Sequence, residues 1–199
     1  MTGRELLLNL ITLLLGFILV EVLSGLMRTL RARLPAGPSS KADIRIGWLT
    51  PMLGAYTMLN LLMCWLTLWG YLQYVPVGYD TMTVGLLFFS FYYFAASMIY
   101  PDKPRDWPDV DHWFWLHRRQ VLGCIVVANI PFMLPDFTLG KLTSTEMTVD
   151  LVVIGLQIIL WILAIFPRRY GIVFTALAML VTLHLSFIPL EILHRYGMW

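Results

Sequence analysis

The stretch PDKPRDWPDVDHWFWLHRRQ, running from Pro101 to Gln120, is the chain's densest collection of chemically capable side chains. Asp102, Asp106, Asp109 and Asp111 precede His112, and His117 stands just before Arg118 and Arg119. Carboxylates and imidazoles this close together would suit a divalent cation. Their spacing argues otherwise, because His112 and His117 are five positions apart and point to different sides of a helix. The order of residue types fits a membrane-surface element better. Asp109 or Asp111 caps a short helix, Trp113, Phe114 and Trp115 lie among lipid headgroups, and Arg118 and Arg119 hold the boundary. On this reading Asp111, His112, Trp113, Trp115, His117, Arg118 and Arg119 form a headgroup-facing set, with no metal and no cofactor expected.

A second candidate is Glu21, in GFILVEVLSG. A carboxylate within such an apolar run needs a partner, a proton or water, which makes it a functional-site candidate. It lies seven positions before Arg28, about 10 Å deeper at 1.5 Å per residue. Ser24, Gly25 and Arg28 share its helix face, and a stripe of small and polar residues faces protein rather than lipid. Glu21 is therefore expected against other helices, either as a structural group or as part of an ion or proton path.

Four more polar residues fall near mid-membrane: Asn60, Asn129, Gln157 and His184. Converting sequence offsets to height places them roughly 13–20 Å from the basic side of the membrane. Facing one interior, they would form a polar path descending to Glu21 and Arg28. Facing separately, they would make four interhelical hydrogen bonds, each worth about 1 kcal/mol. His184 is distinct among them, because an imidazole near its ordinary pKa relays protons.

The elements that must position these groups follow from composition. The chain has 199 residues, 59% hydrophobic and 13% charged, well below the roughly one-quarter charged residues of soluble domains. Runs of about 20 apolar residues span a hydrocarbon core of about 30 Å. Six occur: Leu6–Met27, Trp48–Leu72, Thr81–Tyr100, Gln120–Leu134, Val149–Phe166 and Gly171–Ile192. The fourth is shortened by Pro131 and Pro135 and can borrow Trp113–Leu116 as an amphipathic extension. The expected fold is all-α: one transmembrane domain over residues 1–199, a bundle of six transmembrane helices with a short interfacial helix before the fourth. The first span is too long for a cleaved signal peptide. Thr50 before Pro51, Asp80 and Asp150 read as caps at the starts of the second, third and fifth helices.

Eleven basic residues fall on one side: Arg28, Arg31, Arg33, Lys41, Arg45, Lys103, Arg105, Arg118, Arg119, Arg168 and Arg169. Only Arg4, Lys141 and Arg195 fall on the other. Short loops rich in Lys and Arg stay cytoplasmic, so both termini are expected outside. The net charge of +2 needs no nucleic acid, since orientation and attraction to anionic inner-leaflet lipids account for it. Cys64 and Cys124 lack a CxxC spacing and read as small buried hydrophobes. Trp48, Trp69, Tyr71, Tyr74, Tyr92, Tyr93, Tyr196 and Trp199 read as aromatic-belt material.

The segments EVLSGLMRTLRAR, YYFAASMIYPD and DVDHWFWLHRRQVLG, in that order, resemble a family of uncharacterised small bacterial six-helix inner-membrane proteins. The resemblance spans most of the chain. It implies a multi-pass protein of the bacterial inner membrane and brings no assigned reaction or catalytic residue. No Walker lysine loop, HExxH or GxSxG occurs, and the one mid-span histidine cannot supply the facing pair of a b-type haem. Two function classes follow. One is transport, channel activity or sensing through the polar path including Glu21. The other is a cytoplasmic-face lipid-binding or lipid-modifying protein using residues 102–119, or an accessory subunit of a membrane complex. A homo-oligomer fits either.

Overall fold

The computed structural model describes residues 3–34, 44–71, 78–133 and 144–195. It is all-helical: α1 (Gly3–Arg33), α2 (Leu49–Tyr71), α3 (Tyr79–Ile99), a 3₁₀ turn (Pro104–Asp106), α4 (Val110–Met133), α5 (Ser144–Ile165) and α6 (Tyr170–Arg195). Five of the six helices, α1, α2, α3, α5 and α6, contain segments long and apolar enough to cross a membrane. Helix α4 is set apart by the charges of its first half, Asp111, Arg118 and Arg119, and by Pro131 in its last turn. The chain is thus built as a multi-pass membrane protein. Large apolar side chains such as Phe17, Val20, Val152, Ile159 and Phe166 point outward, where hydrocarbon rather than water must cover them.

Helix α2 is the axis of the bundle. It packs against α1, α3, α4 and α6, while α3 pairs closely with α4 and α5 with α6. Half of its spanning segment is buried, against 17–28% for the other four. Tyr56, Leu53 and Asn60 on α2 meet Tyr92 and Ile99 of α3, Ile125 of α4 and Leu177 of α6 within one continuous core. Close approach comes from small residues. Gly25 and Gly54 leave room for Tyr100, which wedges between α1 and α2 at the end of α3: a Cβ at Gly25 would lie 2.7 Å from the Tyr100 ring, and one at Gly54 would fall on its hydroxyl.

The helix starts differ from the sequence expectation. No separate interfacial helix precedes the fourth span. Residues Val110–Gln120 are the first turns of a continuous α4, and the only short element before it among the described residues is the 3₁₀ turn. Asp109 does cap α4, accepting from the Asp111 backbone N–H at 2.9 Å. Thr50 is not the cap of α2, which begins at Leu49. That end is closed from α4 instead, by Asp111 Oδ1 accepting from the Thr50 N–H at 3.4 Å while Thr50 Oγ1 donates to the Val110 carbonyl at 3.2 Å. Asp80 sits inside the first turn of α3, whose capping residue Gly78 contributes no side-chain bond. Asp150 lies well inside α5, which starts at Ser144. Two backbone hydrogen bonds, Arg45 N–H to the Pro108 carbonyl and Val110 N–H to the Arg45 carbonyl, tie the segment before α2 to the start of α4. Arg28, Arg31 and Arg33 extend α1 as helix rather than opening a loop.

Candidate functional site

Asn60 is the centre of a buried polar cluster. Its Oδ1 accepts from the Tyr92 hydroxyl at 2.7 Å and from Asn129 Nδ2 at 3.0 Å. Its Nδ2 faces Asn129 Oδ1 at 3.3 Å and His184 Nε2 at 3.2 Å. An amide has two donor hydrogens and two acceptor lone pairs, so Asn60 uses all four. The cluster draws on α2, α3, α4 and α6.

These bonds assign the histidine tautomer. Nε2 faces an amide N–H donor and must accept, so Nδ1 carries the proton and donates to the Leu180 carbonyl at 2.9 Å. His184 is neutral in this arrangement. The edge of its ring meets the Tyr56 ring, centroids 5.3 Å apart and nearly perpendicular. The Tyr56 hydroxyl accepts from Trp161 Nε1 at 2.6 Å, and Gln157 reaches the same hydroxyl. Cys64 Sγ lies 3.0 Å from the Tyr92 hydroxyl, so this thiol joins the polar cluster rather than merely filling space.

Above the cluster a cleft of about 170 Å³ opens between α2, α4, α5 and α6. Asn60, Asn129, Gln157 and His184 line its inner part, and Thr67, Asp150 and Phe187 line it toward the end opposite the basic residues. A polar floor reached through a mostly apolar wall is the form expected of a small-solute site. The four mid-span residues picked out by sequence height thus share one cavity.

Glu21 and Arg28 are elsewhere. Glu21 Oε1 accepts from Arg28 Nη2 at 3.4 Å, and the same Nη2 lies 3.8 Å from Asp102. Glu21 lines a groove between α1 and α3 with Phe17, Ser90 and Tyr93. Its face does meet a neighbouring element, since Gly25 packs on Tyr100 at the end of α3, yet the Glu21 side chain is 28% exposed. It does not join the cleft.

The 102–119 element divides into separate roles. Trp113 donates Nε1–H to the Met98 carbonyl at 2.9 Å and stacks on His117, while His112 stacks on Trp107. Among the described residues, no three of His, Cys, Asp and Glu converge as metal ligands. Asp111 faces α2, and burial pushes its carboxyl upward from the ordinary carboxylate range, opposed by the α2 backbone donors. Arg118 is buried rather than placed at the surface. Its Nη1 donates to the Ala164 carbonyl at 3.3 Å in the last turn of α5, and its guanidinium lies 4.3 Å over Trp115. Cations suit helix C-termini, so this arginine joins α4 to α5. Arg119, one position on, is exposed.

Sequence reading missed Tyr92, Tyr56 and Trp161. By sequence Tyr92 and Tyr93 both read as belt material, but Tyr92 is fully buried and Tyr93 is 45% exposed. Spacing held a signal: Tyr92 lies three and seven positions before Ala95 and Ile99 on the inward face of α3. Lys41, Tyr74, Lys141, Tyr196 and Trp199 lie outside the described residues, as do the side chains of Arg4, Trp69, Tyr71 and Arg195. Comparison with protein-family models, curated proteins and solved structures finds no match for this chain.

Proposed function

We propose that this is a multi-pass protein of the bacterial inner membrane, with both termini outside, that performs proton-responsive transport or sensing through the cleft above Asn60. The observation that carries the reading is the bond from the Asn60 amide to His184 Nε2 at the cleft's floor. A second proton on the ring would point an N–H donor at an N–H donor. Relief requires the ring to move or the Asn60 amide to turn over, and turning it would break the bonds from Tyr92 and Asn129. Protonation of one side chain is thereby coupled to the contacts among α2, α3, α4 and α6. Such a two-state arrangement is how a histidine switches structure near neutral pH.

In this reading the working residues are Asn60, Asn129, Gln157 and His184, with Asp150 farther along the cleft as an attractor for cationic or protonated species. Glu21 and Arg28 form a separate ion pair. The basic asymmetry of eleven against three supports an outward-opening cleft. A cysteine placed at Thr67, labelled with a membrane-impermeant maleimide and normalised to an exposed control thiol, tests the coupling. Its labelling rate should step as the pH is lowered from neutral, and the step should vanish in His184→Gln. Labelling that is independent of pH, or a step that survives His184→Gln, sinks the reading.

A further inference from the structure

We infer that the outer face formed by α1, α3 and the 3₁₀ turn holds one anionic phospholipid, its phosphate among Arg28, Arg31, Lys103 and Arg105 and an acyl chain between α1 and α3.

Two grooves on this face carry the inference. The first, about 490 Å³, runs between α1 and α3 and is walled by Leu14, Phe17, Ile18, Phe89 and Phe94, with Glu21 and Ser90 as polar exceptions. The second, about 480 Å³, lies beyond it at the end of α1, lined by Arg28, Arg31, Lys103 and Arg105 with Asp102 and Asp106. The Glu21–Arg28 bond joins them, since Glu21 lines the first and Arg28 the second. Leu14, Glu21 and Arg28 are seven positions apart in turn, so one stripe of α1 passes through both. From Leu14 to Arg31 this stripe is about 25 Å long at 1.5 Å per residue. That matches an extended acyl chain with its headgroup, and not a free ion.

Charge selects the headgroup. Across the two grooves four cations face three carboxylates, leaving one positive charge, the complement of a single phosphodiester. Glu21 does not repel such a ligand, because Arg28 already occupies it. A zwitterionic choline headgroup would bring its own cation and leave the excess unmatched. Basic pockets between transmembrane helices at the positive side of the membrane are known as headgroup sites. A second protein helix fits poorly, because the cationic end would require a matching acidic end on the partner at the membrane surface.

Native mass spectrometry of the full chain, offered equal phosphatidylglycerol and phosphatidylcholine in mixed micelles, tests this. One phosphatidylglycerol should be retained per chain, favoured roughly tenfold over phosphatidylcholine, and excess inorganic phosphate should not displace it. The triple substitution Arg31→Gln, Lys103→Gln and Arg105→Gln removes headgroup charge. Ser90→Trp, at a half-buried groove position, fills the acyl end. The charge-removing variant should lose the preference for phosphatidylglycerol, and the groove-filling variant should retain neither lipid. Equal retention by the parent, displacement by phosphate, a preference that persists in either variant, or a lipid-insensitive dimer in place of the lipid adduct would overturn the inference.

Discussion

Tyr92 on α3 and Asn129 on α4 donate to the same oxygen, Asn60 Oδ1, at 2.7 and 3.0 Å. Three helices are thus fastened through a single side-chain carbonyl, whose amide nitrogen then turns to a fourth. Removing that side chain strands several buried polar groups at once. Asn60→Leu should destabilise the protein by about 2 kcal/mol, toward the upper end for interhelical bonds in membranes. Gln157→Leu, at a half-buried position in the cleft, should cost less than about 1 kcal/mol. Chemical or thermal unfolding in micelles compares the two, and equal losses would contradict the ranking.

Tyr100 offers a test of opposite sign. Its hydroxyl is buried and has no hydrogen-bond partner among the described residues. An unpaired buried hydroxyl costs on the order of 1 kcal/mol or more. Tyr100→Phe should therefore raise the melting temperature. Gly54→Ala should lower it in the parent, because the new Cβ falls on that hydroxyl, and lower it less in the Tyr100→Phe background. Additive effects would show that the wedge is looser than described.

Asp111 gives a pH dependence. Its carboxyl titrates above the ordinary value of 3.8, burial being the largest cause. The folded chain then keeps a proton that the unfolded chain has already released. Stability contributed by this group is complete below pH 3.8, falls as pH rises from there through the raised value, and is level above it. In Asp111→Asn this decline should disappear while α2 stays capped, whereas Asp111→Ala should lose the cap at a cost of about 1 kcal/mol. Melting curves across about pH 4 to 7 decide it, and an unchanged slope in the asparagine variant would rule Asp111 out as the source.

Orientation has its own check. Reporter fusions at Lys41 and at the C-terminus should report the cytoplasm and the outside respectively, given the eleven-to-three division of basic residues. Exchanged assignments would invert the cleft and the headgroup face together, and a shared side would contradict the six-span count.

Much of the architecture was legible in the sequence because apolar length is a one-dimensional property: five of the spans expected from runs of about 20 residues reappear as candidate spans. Height along a helix is equally local. Counting residues was enough to set Asn60, Asn129, Gln157 and His184 at one level, where they share a cleft. Rotation about the helix axis is not local. From height alone Glu21 reads as the foot of the same path, but its stripe lines a groove with α3. The caps failed for a related reason. Thr50, Asp80 and Asp150 were read as serving their own helices, and the donors of α2 are instead met by a residue on another. Tyr92 and Tyr93 differ only in which way α3 faces.

The acceptor that closes α2 lies 61 positions farther along the chain than the N–H it meets. During synthesis α1, α2 and α3 therefore enter the membrane with the first turn of α2 open. Its final hydrogen bonds wait until the segment through Val110 and Asp111 has emerged and Arg45 has paired with it. Insertion and completion are separate events here: the early hairpin can find its place by hydrophobicity alone, but it becomes a finished core only after the fourth helix arrives. A chain truncated before Val110 would lack that closure however well its first three helices had inserted.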